Sequence, residues 1–510
     1  MLNDCSVHNA DDFRQMVACM VRNSLAISRF LIEQPAGGIG RTALGGLLQE
    51  SSRLEELLDA YGARTNQEWL PFRRSVAALK LFSDVHYKIL HIKYSIPLYA
   101  LMPIEQDIEA ATDAAVDRST RLLVTAIKRY LDQAQRYGLV DNPAVYQRRC
   151  VENEHVAWRL DNNLVRGSVQ RQPDEAVVAL ATAFLNEVEG SDFRGVFAAL
   201  ADRGFLTCVP DVACEKDFRR FEEVFHNLQA LYDSYVGGTD LEQRDEKLTF
   251  LRGHATIVYH LLEIVTDLTH HYERHMAGAQ HSDSLVLGEM RDDMAWLVVS
   301  YAMEFAVDYA TTVQDLCREL IRRYTETTTL TLPSPPYRGF HVRPSTLIAR
   351  IVRHYGSKVV LLLEEEQCDA SAPLEIIRVN ERINAIKRRM IGKDIVSMMG
   401  DYPADSDHQA ALTAILLELF RQKKLVVYSD ELSLDDVPVA AGESLGEYSK
   451  RAVAQLLAGG SIDIRADIPV SFQGDKRALD DLKVLAEAGY GEDQLGNNIP
   501  LPAALSYLKR

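Results

Sequence analysis

The chain has no apolar run long enough to span a bilayer, no Cys-x-x-Cys pair and no excess of positive charge. Each absence removes a class of function. Without a stretch of about 20 apolar residues there is no candidate transmembrane helix. The opening Met1-Leu-Asn-Asp-Cys-Ser lacks the basic and then apolar blocks of a secretory signal, so the sequence predicts a cytoplasmic protein. The seven cysteines, Cys5, Cys19, Cys150, Cys208, Cys214, Cys317 and Cys368, are scattered and odd in number. That pattern argues against zinc or redox pairs and fits buried or incidental thiols. A net charge of −17 argues against nucleic acid and anionic membrane as partners, since both select basic surfaces. No fixed-period repeat is present, and the Gly37-Gly38-Ile39-Gly40 cluster neither follows a strand nor ends in the Gly-Lys-Ser/Thr of a phosphate loop. It reads as a turn.

What is present is enough for several domains. With 510 residues, 47% of them hydrophobic and 25% charged, the chain can bury large cores. Residues 1–325 read as all-helical. Phe13, Val17, Met20, Ser24, Ile27 and Leu31 follow helical spacing. The segments 45–61, 69–95, 106–137, 175–189, 215–235, 242–275 and 286–325 alternate with Gly, Pro or Asn breaks. Segments this long favour a bundle of long helices over a compact α/β enzyme.

Two features of this region invite a metal. Glu152-x-x-His155 and Glu223-x-x-His226 each place a carboxylate and an imidazole one turn apart, and His260, Glu263, Asp267 and His271 share a helix face. Paired Glu-x-x-His helices hold metals in di-iron bundles, but such sites need two further inward glutamates, and the surroundings here are charged rather than apolar. A metal-dependent bundle enzyme is therefore the minor alternative. The run His270-His271-Tyr-Glu-Arg-His275 reads as a surface helix end, where cations are favoured anyway.

Chemistry is most legible at Gly339-Phe340-His341-Val342-Arg343-Pro344, followed by Ser345 and Thr346. Pro344 fits a first helical turn, and Leu347, Ile348, Ile351 and Val352 supply an apolar stripe behind it. A phosphate on His341 would then meet the free first-turn amides, assigned to Ser345 and Thr346, the positive end of the helix dipole and the guanidinium of Arg343. Around the motif, the spacing predicts a strand at 327–332, a helix at 345–355, strands at 358–364 and 374–379, a helix at 381–391, a strand at 394–399 and a helix at 405–420.

The motif and this order of elements resemble HPr, the histidine-containing phosphocarrier of the phosphoenolpyruvate:sugar phosphotransferase system, whose active-site loop reads Gly-hydrophobic-His-Ala-Arg-Pro and whose elements run β-α-β-β-α-β-α. The resemblance covers residues of about 326–425 only. It implies an open-faced α+β sandwich, His341 as phosphoryl acceptor, Arg343 as phosphate stabiliser, no metal or organic cofactor, an enzyme I-like donor and a protein acceptor that is not specified. Phe340 and Val342 depart from the family's usual choices. Where kinase-controlled members read Asn-Ala-Lys-Ser, this chain has Asn384-Ala385-Ile386-Lys387, without the regulatory serine. Arg382, Lys387, Arg388, Arg389 and Lys393 make that helix basic, suited either to an acidic partner or to plain solvation.

Residues 426–510 open with an acidic, turn-prone stretch and read as a linker and a small α/β region: helices at 444–457 and 476–488, short strands at 462–464 and 470–472. The expected architecture is thus multidomain and mainly α, a long-helix bundle followed by an HPr-like sandwich and a small C-terminal region. The expected role is a phosphoryl carrier or regulator rather than a turnover enzyme, with the helical region as a candidate surface for homo-oligomerisation. The alternative is a non-catalytic HPr-like binding module on a helical scaffold.

Overall fold

The computed structural model describes residues 10–34, 38–139, 173–190, 192–276, 284–336, 338–403, 406–428, 432–493 and 497–509. The chain is mainly helical and divides into two compact units, Met1–Glu319 and Leu320–Arg510. Among the described residues, no helix is long and apolar enough to cross a membrane.

The first unit is built from α1 Ala10–Ile32, α2 Arg41–Ala60, α3 Leu70–Ser95, α4 Ile108–Arg136, α5 Pro173–Gly190, α6 Phe193–Arg203, the single turn α7 Phe205–Cys208, α8 Glu215–Tyr235, the short α9 Asp240–Arg244, α10 Lys247–His271, α11 Ser284–Trp296 and α12 Glu304–Thr312; the unit boundary falls inside α13 Gln314–Tyr324. The expected helices match these closely. Helix α10 is central: Ile257, Val258, Leu261, Leu262, Ile264, Val265 and Leu268 are all fully buried, so it is apolar almost all round. Gly253 permits this packing, because a Cβ there would lie 2.2 Å from the Ala100 carbonyl oxygen.

The second unit departs from the expected boundaries. Its four-stranded antiparallel sheet has the order β1-β6-β2-β3, with β1 at Thr327–Pro333, β2 at Val359–Leu363, β3 at Glu366–Asp369 and β6 at Pro469–Asp475. Helices α14 Val342–Tyr355, α15 Pro373–Met399 and α18 Lys476–Glu487 enclose its apolar core with Leu332, Val359, Leu361, Leu363, Val470 and Phe472. On the other face, Thr331 and Ser471 pair their hydroxyls at 2.8 Å in the open. The division at 425 therefore runs through one sheet, since β1 and β2 both pair with a strand from the region assigned to a separate C-terminal fold.

Two expected strands are helix. Residues 374–379 and 394–399 lie in α15. Pro373 pre-sets the first turn, and Ile376, Val379 and Ile383 then recur every three or four residues as buried contacts, which a strand cannot provide. Ile391 and Ile395 continue the stripe into a second core, formed with α16 His408–Arg421, β4 Leu425–Val427, α17 Leu445–Ala458 and β5 Ile462–Ile464. Helix α15 thus serves two cores in succession. The segment between α15 and β6 that holds this second core puts the strand pairing with both β1 and β2 far downstream of where local reading sought it.

Candidate functional site

Helix α14 begins where the motif predicts. His341 is its N-cap, in extended backbone, and Gly356 closes it in the left-handed conformation. The preceding loop is fixed from α15. Asn380 accepts the Phe340 N–H at 2.9 Å through Oδ1 and donates to the Arg338 carbonyl at 2.8 Å through Nδ2. Gly339 has φ +58°, and a Cβ there would lie 1.9 Å from Asn380 Oδ1, so only glycine fits. Phe340 is fully buried, edge-on to Phe472 and Tyr490. The unusual residue of the motif therefore anchors the loop in the core.

The structure gives His341 and Arg343 partners that local sequence did not foreshadow. His341 Nδ1 lies 3.1 Å from the Gly339 carbonyl. Nε2 lies 2.9 Å from the Glu492 carboxylate. Glu492 is largely covered, its side chain 12% exposed against 28% for His341. Arg343 donates through Nε to the Gly491 carbonyl at 3.0 Å and through Nη2 to that of Ile499 at 3.4 Å. A carboxylate and two carbonyls thus occupy the donors where an anion on His341 would sit.

The assignment of the phosphate-binding amides needs correction. The Ser345 N–H already donates to the His341 carbonyl at 3.1 Å, and the Ser345 and Thr346 hydroxyls bond the Phe340 and Val342 carbonyls at 3.0 and 2.6 Å. Thr346 lies far enough into the helix for the regular backbone ladder to take its amide. Since α14 starts at Val342 and Pro344 has no N–H, the first-turn donors without an intrahelical acceptor are those of Val342 and Arg343.

The metal alternative fares differently in its parts. Glu152 and His155 lie outside the described residues. Glu223 and His226 are exposed on α8. On α10 the acidic face is filled by a lysine: Lys88 Nζ lies 2.5 Å from Asp267, 3.1 Å from Asp84 and 3.6 Å from Glu263, while His260 Nδ1 bonds Glu263 at 2.8 Å. Burial alone would depress the Lys88 pKa, but the three carboxylates raise it above the ordinary lysine value. Among the described residues no group of three or more His, Cys, Asp or Glu side chains is placed to hold a metal ion. His271, expected at the surface, is instead buried edge-on to Phe82, and burial pushes its pKa down to about 3.

Comparison with known proteins finds no matching family model, no matching curated protein and no matching solved structure.

Proposed function

We propose that the second unit is an HPr-like phosphoryl acceptor domain in a regulatory protein, with His341 as acceptor and Arg343 as phosphate stabiliser. The observation that carries this reading is the placement of His341 as the N-cap of α14, with Arg343 in the same turn, on an antiparallel sheet. The β-α-β-β-α-β-α order that the resemblance implies is supplied by β1, α14, β2, β3, α15, β6 and α18, once the segment between α15 and β6 is treated as an insertion. In the transfer step a lone pair on His341 attacks phosphorus as the donor's P–N bond breaks in line, and that electron pair returns to the donor's imidazole. Whichever ring nitrogen accepts must first leave its present partner, Gly339 for Nδ1 or Glu492 for Nε2, and release any proton it carries to solvent, so that its lone pair is free. Arg343 and the Val342 and Arg343 amides then face the transferred oxygens. An enzyme I-like protein is the donor this reading requires; the helical first unit fits a regulator better than a small mobile carrier.

A second reading, a non-catalytic binding module, is favoured by one observation: His341 and Arg343 are already hydrogen-bonded to Gly339, Gly491, Glu492 and Ile499. Intact-mass and acid-lability analysis after incubation with phosphoenolpyruvate and enzyme I separates the two. A phosphoacceptor gains one acid-labile phosphate that His341→Ala lacks, and Glu492→Ala gains it faster than the unaltered chain. No phosphate on either the unaltered chain or Glu492→Ala, where ordinary HPr is labelled, leaves the binding module.

A further inference from the structure

The second unit holds a half-open cavity of about 490 Å³ between α15, α17 and β5, which Arg338 of the Asn380-held loop also lines. Its polar lining comprises Arg338, Asn384, Lys387, Arg388, Tyr428 and Asp463. Three of these are cations and one is an anion, within a chain whose net charge is −17. The carboxylate is already engaged. Asp463 accepts the backbone N–H of Arg338 and that of Ile464, the latter at 2.7 Å. Among the described residues, no carboxylate lies within ion-pair distance of Arg338, Lys387 or Arg388.

Lys387 is the most telling of the three. Its side chain is 1% exposed and donates to the Pro336 carbonyl at 2.7 Å. An ammonium has three donors, and a buried one without a counter-ion is costly. Burial depresses its pKa more than the charges of Asp463 and Asp467 restore it, the expected response to that cost. Arg338 is held in place from two directions. Its guanidinium sits 4.9 Å from the centre of the Tyr428 ring, and its backbone takes φ +48°, a conformation that an L side chain adopts only under constraint.

We infer that this cavity binds a small phosphate monoester, with its phosphate among Arg338, Lys387 and Arg388. Charge selects the class. Among the described residues, three cations against one engaged carboxylate leave two positive charges unmatched, which suits a phosphate monoester of about −1.5 to −2 better than a single carboxylate. Two planar guanidinium forks and an ammonium also match tetrahedral oxygens. The volume lies within the range of small-molecule sites, at the size of a phosphorylated sugar rather than a polymer. The inference does not depend on phosphorylation of His341.

Calorimetric titration of the full chain with ribose 5-phosphate, inorganic phosphate and unphosphorylated ribose tests it. Saturable one-to-one binding of ribose 5-phosphate, weaker binding of inorganic phosphate and none of ribose is the expected result. Arg388→Ala, an exposed position that the fold does not need, weakens binding by roughly tenfold or more, as loss of a charge-assisted bond should. Arg378→Ala, on the same helix but outside the cavity, leaves it unchanged. Absence of saturable binding by either phosphate probe at roughly 10 mM, an affinity too weak for a built site, would overturn the assignment. So would Arg388→Ala and Lys387→Met variants that bind as the unaltered chain does.

Discussion

Lys88 in the helical unit and Lys387 in the sheet-bearing unit are both enclosed by protein, but their surroundings differ in kind. Lys88 has Asp84, Glu263 and Asp267 within 4 Å, and two buried histidines of the same unit are likewise committed: His86 to Ser119 at 2.8 Å, and His254 to the Phe250 carbonyl at 2.7 Å. Lys387 has a backbone carbonyl and shares its cavity with two arginines. In the first unit the chemically suggestive residues complete one another and hold the bundle together. In the second they are left partly uncompensated beside a cavity, or are compensated by a distant segment, as His341 is by Glu492. A reactive residue type signals function only when its charge or lone pairs are not already matched by the fold.

The comparison is broken most severely by acid. Burial holds His86 and His254 down to about 4 and His271 to about 3, below the unfolded value of 6.5. The unfolded chain therefore takes up these protons first. Stability is intact above pH 6.5 and is lost between there and about 4, by about 1.4 kcal/mol per pH unit for each histidine. Asp267 and Asp308, raised by burial, act in the opposite sense, while His275 and His91 are lowered and add to the loss. All three tryptophans, Trp69, Trp158 and Trp296, precede residue 320. Urea unfolding followed by tryptophan fluorescence at stepped pH thus reads this region, and a midpoint that does not fall on acidification would refute the assignment.

Next in size is Lys88→Met, which leaves three carboxylates without their cation. It should lower stability by about 3 kcal/mol at neutral pH, seen by the same fluorescence. Lys387→Met should behave quite differently. Removing an ammonium that has no carboxylate partner among the described residues forfeits one bond to Pro336 and relieves a desolvated charge, so the change should stay within about 1 kcal/mol. Amide exchange measured by mass spectrometry over 326–490 would read it, and a loss as large as that for Lys88→Met would mean the cavity is electrostatically closed after all. Smallest of all, Arg388→Ala should shift that exchange by no more than about 0.5 kcal/mol in either direction.

Much of this was legible in the sequence, and what was not has identifiable causes. The long helices declared themselves because their apolar period persists over many turns between Gly and Pro breaks; α8 runs from Glu215 to Tyr235 as expected. His341, Arg343 and the helix behind them followed from adjacent residues. The stretch Leu374-Glu-Ile-Ile-Arg-Val379 misleads because β-branched residues favour strands in isolation, and tertiary packing onto the sheet overrides that preference. The sites' partners were hidden for another reason. Asn380 and Glu492 come together with the motif only through the fold, and nothing in their own neighbourhoods marks them; Lys387 stood out as one of a basic run, but not as its buried member. Nor does local pattern reveal that a second core interrupts the sheet.

That interruption has a consequence for how the molecule comes into being. In the order β1-β6-β2-β3 the strand that joins β1 to the rest is made last, and Leu332 must wait for Val470. On a ribosome, β2 and β3 can form a hairpin early, whereas β1 has no neighbour until the insertion has been synthesised. Such distant pairing is slow relative to local helix formation. The partners of His341 and Arg343 at Gly491 and Glu492 emerge later still. A nascent chain would therefore carry its motif for some time with neither the sheet beneath it nor the carboxylate beside it, and both would arrive in the same late stage of folding.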